Sequence, residues 1–135
     1  MDTKVFISYS FADKNKFRFF DKQLRRFLET TFGIDAYSFV FDFKKKTDNK
    51  TLMKLALEKI DESDLLLAEL TYKSIGIGIE VGYAKAKGKR IIYMHRIGTE
   101  LSTTTSGVCD IRIEYKDISD LLVQLKKVLK KQYVR

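Results

Sequence analysis

Five short apolar runs alternate along the chain with stretches whose apolar residues recur at helical spacing, and no other feature of the sequence restricts the fold as much. Val5-Phe6-Ile7, running into Ser8-Tyr9-Ser10, reads as a buried parallel strand that ends in a loop. Asp13 then stands where it can cap a helix with Phe17, Phe20, Leu24, Phe27 and Leu28 on one face, and Gly33 suits a left-handed stop. Tyr37 to Phe43 are β-branched and aromatic enough to form the second strand. Asp48 is placed to cap a second helix carrying Leu52, Leu55, Ala56 and Ile60, and Leu65 to Ala68 read as a fully buried third strand. Ser74-Ile75-Gly76-Ile77-Gly78 interrupts regular structure before a helix from about Ile79 to Lys87, which Gly88 ends. Arg90 to Met94 and Ile111 to Ile113 supply strands four and five, residues 97 to 108 a Thr/Ser/Gly-rich loop, and Ile118 to Leu129 an amphipathic closing helix.

Strands that alternate with helices predict a parallel sheet with right-handed crossovers and helices on both faces. Five of them suit a doubly wound, flavodoxin-like α/β fold of strand order 2-1-3-4-5. At 135 residues, with 44% hydrophobic side chains and the aromatic residues spread over the whole length, one domain spanning residues 1–135 can bury a sufficient core.

Cys109 is the lone cysteine, so no internal disulfide can form and no zinc-type spacing exists; nothing in the residues calls for a metal or a cofactor. With no stretch apolar enough to cross a bilayer, the expected setting is cytoplasmic, without a membrane partner. The net charge of +8 suits a phosphorylated small molecule or nucleic acid, but no strand interleaves aromatic and basic residues as RNA-binding sheets do, which argues against nucleic acid. Clusters such as Lys44-Lys45-Lys46 have a solvated loop as their plainest explanation.

In open α/β sheets ligands bind beyond the carboxyl ends of the strands. That rule selects Ser8, Tyr9 and Ser10 after strand one, Asp42 after strand two, Glu69 to Gly78 after strand three, and His95-Arg96 with the Ser/Thr loop after strand four. Gly76 and Gly78 precede a helix whose free N–H groups favour an anion, although they do not form the dinucleotide fingerprint. Glu80, expected in the first turn of that helix, has dipole stabilisation as its structural explanation. His95 is expected to be a solvated or hydrogen-bonded strand-end residue, Arg96 a charge partner for phosphate, and Cys109 structural.

The segments Ser63-Asp64-Leu65-Leu66-Leu67-Ala68-Glu69-Leu70-Thr71, Ser74-Ile75-Gly76-Ile77-Gly78-Ile79-Glu80-Val81-Gly82-Tyr83-Ala84 and Gly88-Lys89-Arg90-Ile91-Ile92 together resemble the family of nucleoside 2-deoxyribosyltransferases and 2'-deoxynucleoside 5'-phosphate N-hydrolases. The resemblance implies an N-glycosidase or deoxyribosyltransferase with Glu80 as the nucleophile and Ser74 at the 5'-phosphate. Leu101-Ser102-Thr103-Thr104-Thr105-Ser106-Gly107 resembles the hydrolase loop that offers a serine to the neighbouring subunit's site, which implies a homodimer with Ser102 acting across it. The two serines point to a nucleotide rather than a nucleoside substrate. The sequence departs from the pattern twice. Tyr9-Ser10-Phe11 replaces a glycine-serine-isoleucine loop, and an aspartate that many members carry before strand three falls on Ala56, with Glu58 and Asp61 as neighbouring substitutes.

Cleavage of an N-glycosidic bond passes through an oxocarbenium-like state that a carboxylate can stabilise and trap, and water or a second base then completes hydrolysis or transfer. Glu69 and Asp42 are the candidates for an acid that assists the departing base; if Glu69 lies near Glu80, repulsion raises the pKa of one of them. Phe6-Ile7-Ser8-Tyr9-Ser10 also resembles the first strand and loop of TIR domains, whose members cleave NAD or signal by assembly. That alternative stays open on the sequence.

Overall fold

The computed structural model describes residues 3 to 133, so Met1, Asp2, Val134 and Arg135 lie outside the described residues. The strands are β1 (Lys4–Ser8), β2 (Asp35–Tyr37), β3 (Leu65–Glu69), β4 (Arg90–Arg96) and β5 (Ile111–Tyr115). They form one all-parallel sheet in the order β2-β1-β3-β4-β5, the flavodoxin-like arrangement expected from the alternation of strands and helices.

The helices are α1 (Arg18–Phe32), α2 (Phe39–Asp42), α3 (Asn49–Asp61), α4 (Ile75–Ala86), α5 (Thr103–Ser106) and α6 (Ile118–Tyr133). Strand side chains alternate between two cores. Val5, Ile7, Leu65 and Leu67 pack against Leu24 and Leu28 of α1 and Leu121 and Leu125 of α6. Phe6, Leu66 and Ala68 pack against Ile60 of α3 and Ile77, Val81 and Ala84 of α4. Each fully buried leucine contributes about 2 kcal/mol of transfer free energy, which is why β3, buried along its whole length, anchors both layers. Two caps are as expected: the Asp48 carboxylate accepts from Thr51 N–H at 2.7 Å, and Gly33 closes α1 with φ of 66°.

Four expectations are corrected. Tyr37 to Phe43 is not a strand: β2 stops at Tyr37 and residues 39 to 42 form a helical turn. The Asp42 carboxylate accepts the Ser38 N–H at 3.0 Å and the Asp42 N–H donates to Ser38 O at 2.8 Å, so a local turn replaces the edge ladder. The rings of Phe39 and Phe43 stack at 4.5 Å, which uses the aromatic residues in packing rather than in a sheet. Ser74 to Gly78 is not irregular either: α4 begins at Ile75, because Ser74 Oγ accepts the Ile77 N–H at 3.3 Å and starts the helix four residues early. Asp13 precedes a 3-10 turn (Lys14–Phe17) without capping it, since its carboxylate instead accepts from Ser10 Oγ at 2.9 Å. The loop after β4 contains α5, capped by Ser102.

Candidate active site

The carboxyl ends of β1 and β3 open into a cavity of about 610 Å³, a size suited to a small ligand. Tyr9, Ser74, Gly76 and Glu80 come from the loop after β1 and from the start of α4. Phe39, Val40 and Phe43, from α2 and the residue after it, build an apolar wall with Leu52, Met53 and Ala56 of α3. Phe11 and four lysines, Lys14 and Lys44 to Lys46, stand around the rest. The ring of Phe11 is 67% exposed and the Lys14 ammonium sits over it at 4.2 Å.

The early start of α4 changes the meaning of Glu80. It lies in the second turn, and no acidic residue occupies the first, so dipole stabilisation does not account for it. Its side chain is partly accessible where the cavity opens, yet protein surrounds the carboxyl, and desolvation raises its pKa from 4.5 to about 7. The opposing influence is Ser8. This serine is 1% exposed at the end of β1, its hydroxyl has no hydrogen-bond partner within the protein, and it lies close enough to Glu80 to favour the ionised carboxylate. Substituting Ser8 with alanine is therefore expected to move the Glu80 titration upward, because the one polar group that favours the carboxylate is removed. A titration of Glu80 followed by carboxyl-labelled NMR checks this, and an unmoved midpoint would remove Ser8 from the site.

Glu69 does not join Glu80. In β3 it shares the parity of Leu65 and Leu67, so it points to the α1/α6 face while Glu80 descends from α4 on the other face. Its carboxylate accepts from Thr71 N–H at 2.6 Å, from Thr71 Oγ1 at 3.0 Å and from the Tyr115 hydroxyl. Burial raises its pKa, but Glu80 is not among the charges that act on it, so the expected repulsion between the two carboxyls is absent. Asp42 is occupied as well: it pairs with Arg25 at 2.9 Å and lines a neighbouring depression with Glu58 and Glu62.

Ser10 is buried between two cavity residues with its hydroxyl turned to Asp13. Arg96 is exposed at the end of β4, outside the cavity lining, and its N–H donates to Thr71 Oγ1 at 3.0 Å. His95 is buried, its Nδ1 3.0 Å from Thr99 Oγ1, as a hydrogen-bonded strand-end histidine should be. The Cys109 thiol donates to Thr105 O at 3.1 Å, and burial pushes it up to about 11, which suits a structural residue.

Ser74 stands on a ridge. It lines the Glu80 cavity on one side and on the other a second depression shared with Ser102, Gly78, Lys73 and Thr105. A Cβ at Gly76 would meet only Ser74 Oγ at 3.6 Å, and at Gly78 or Gly82 nothing within 4 Å. No internal contact therefore requires glycine at these helical positions, each of which costs about 1 kcal/mol of helix propensity, and the space above them is open. The apolar wall and the place of Lys44 to Lys46 beside the cavity were not legible beforehand, whereas Ser8 and Phe11 fall in the loop that the sequence picked out after β1; the glycine-rich stretch was the signal for the rest.

No family model matches the chain. A protein of Syntrophotalea carbinolica that carries the assigned name 2'-deoxynucleoside 5'-phosphate N-hydrolase 1 is 33% identical over 134 residues, which cover 93% of this chain and 94% of that protein. This chain belongs to the nucleoside 2-deoxyribosyltransferase-like family. The CMP N-glycosidase of Clostridium botulinum shares the fold with a TM-score of 0.71 at 24% identity, over 93% of this chain and 99% of that one. The 2-deoxyribosyltransferase of Bacillus psychrosaccharolyticus does so with a TM-score of 0.68 at 16% identity, over 89% and 90%. Ala56, on which the resemblance places an aspartate of the family, is buried and lines the cavity, whereas Glu58 and Asp61 do not. Glu58 lines the depression beyond α2, and Asp61 accepts from the Tyr83 hydroxyl at 2.8 Å.

Proposed function

We propose that the protein cleaves the N-glycosidic bond of nucleoside 5'-monophosphates, with Glu80 as the nucleophile. The observation that carries this reading is a single buried carboxyl, poised near neutrality, in a cavity with an apolar wall and a lysine-rich surround. The ionised Glu80 attacks C1' as the bond to the base stretches, and the lysines together with the N-terminal turn of α4 offer positive potential to the 5'-phosphate. Water then releases the sugar phosphate, or a second base takes it. Because the carboxylate form reacts, base release rises with pH through about 7.

Ser74 meets the phosphate from its place on the ridge, and Ser102 serves the site of a second copy of the chain. Ile75 and Ile79, 85% and 48% exposed on the outer side of α4, support a homodimer through that side, since large apolar side chains gain from being covered there. The absence of any helix long and apolar enough to cross a membrane, among the described residues, accords with a cytoplasmic setting.

The test is to incubate the protein with nucleosides, their 5'-monophosphates and NAD and to separate released base. Release from monophosphates is expected, and exchange of Lys44, Lys45 and Lys46 for alanine should raise KM for a monophosphate about tenfold or more with little change for the nucleoside. Release from NAD alone would favour the TIR-like alternative.

A further inference from the structure

The aromatic wall of the Glu80 cavity has open space behind it. Phe39, Phe43, Lys44 and Lys45 line that cavity, and the same four residues line the depression beyond α2, whose volume is about 500 Å³. The rings of Phe39 and Phe43 stack with centroids 4.5 Å apart and planes within 11° of parallel, so one pair of side chains forms the partition between the two spaces. A ligand in the outer space would touch from behind the residues that a substrate touches from within.

The lining of the outer space suits a planar ring that carries a negative charge. Tyr37 extends the aromatic surface, its ring 6.5 Å from that of Phe39, and Leu55 of α3 adds an aliphatic side chain. Of the three carboxylates present, Asp42 is paired with Arg25 at 2.9 Å and Glu62 with Lys59 at 3.7 Å. Glu58 is exposed and lines only the outer space, where water and salt screen it. Lys44 and Lys45 make no ion pair among the described residues and stand at the partition, so their charges are available to either side. Resting on the glycosidase reading of the neighbouring cavity, we propose that the depression beyond α2 is a second, regulatory site for a planar aromatic anion, whose binding weakens the hold of the Glu80 cavity on its substrate. The ring of the ligand lies against the outer side of the Phe39 and Phe43 pair, and its anionic group draws on the two lysines that otherwise attract the substrate's phosphate. Glu80 does not line this space, so the ligand is bound without being cleaved. Because the two ligands share a wall and two charges but not a volume, each weakens the other without excluding it, and the coupling is reciprocal.

Phenyl phosphate, which has a ring and an anion but no glycosidic bond, is the probe. As its concentration rises, the KM of the unaltered protein for a nucleoside 5'-monophosphate is expected to climb to a plateau about fivefold above its starting value, the scale of ordinary coupling between two sites. A KM that rises in proportion to the probe without limit would place the probe in the Glu80 cavity and overturn the proposal, as would a KM that does not move. Leu55→Trp fills the outer depression from a position that does not line the Glu80 cavity. It should leave kcat and KM without the probe unchanged and remove the plateau effect. Should that variant fail to fold, Glu58→Trp plugs the same space from an exposed position, and a plateau that survived the plug would contradict the assignment. Calorimetric titration with phenyl phosphate reads the binding apart from turnover: the heat of binding is expected in the unaltered protein and lost in the plugged one. Absence of base release from every nucleotide would strike at the glycosidase reading and leave that binding result standing.

Discussion

Glu80→Gln is expected to lower base release at least about 1,000-fold, because the amide keeps the shape of the side chain but cannot form the glycosyl ester. The same change is expected to make the protein more stable at pH 8. In the folded chain the Glu80 carboxyl titrates near 7, against 4.5 ordinarily. Between those values the unfolded chain has lost a proton that the folded chain still holds, so stability falls as pH rises through the interval. Above it the ionised, desolvated carboxylate costs the fold on the order of 3 kcal/mol, a cost the glutamine variant escapes. Urea titrations of both proteins at pH 4 and pH 8 test this: the midpoints should nearly coincide at the lower pH and separate at the higher. A variant that retained turnover, or whose midpoint advantage did not grow with pH, would contradict the assignment of Glu80 as a functional rather than a structural acid.

Arg25→Met is expected to cost about 2 to 3 kcal/mol, below the full range for a buried ion pair because Arg25 and Asp42 keep 25% and 31% side-chain exposure while Asp21 is buried. Arg25 pairs with Asp21 at 2.8 Å and with Asp42 at 2.9 Å, and the Tyr9 hydroxyl donates to the other oxygen of Asp21 at 2.7 Å. Asp21 is only 6% exposed, and burial already raises its pKa, so losing the guanidinium strands a carboxylate beneath Tyr9. The network also ties α1 to α2, where Phe39 and Val40 face the cavity. A lower urea midpoint with unchanged slope is therefore expected together with a raised KM. A loss under about 1 kcal/mol would mean that the pairs behave as solvated surface contacts.

Periodicity made the sheet legible, because β1, β3 and β4 are apolar on both faces and α1 and α6 carry clear apolar stripes. It failed where side chains write local structure through hydrogen bonds. Residues 37 to 43 have a strand's composition, but the Asp42 carboxylate on Ser38 N–H turns the chain, and the aromatic residues go to a cavity wall. Ser74 makes Ile75 to Gly78 helical despite two glycines. That shift of four residues matters for the site, since it moves Glu80 out of the first turn and removes its structural excuse. Strand parity explains why the two acids picked out by sequence did not meet: Glu69 follows Leu67 to one face, whereas Ser8 follows Phe6 to the face that Glu80 approaches. The lysines at 44 to 46 could be read only as a charge run until α2 and α3 placed them beside a cavity.

The strand order also governs how the molecule can come together as it leaves the ribosome. β1 is an inner strand, flanked by β2 about thirty residues on and by β3, where Val5 meets Leu65 and Ser8 meets Ala68. Until residue 68 has emerged, β1 can pair only with a three-residue neighbour, and its Phe6 and Ile7 have no second strand to lie beside. From β3 onward each new strand joins the one before it across a single short crossover, β3 to β4 and then β4 to β5. Short-range pairings form faster than distant ones, so the C-terminal half, which carries Glu80, is expected to organise first and to act as the template on which the N-terminal half is captured. Nascent chains stalled before Leu65 should accordingly be protease-sensitive throughout, while in those extended past Tyr115 protection should appear first in the C-terminal half and then in the N-terminal half.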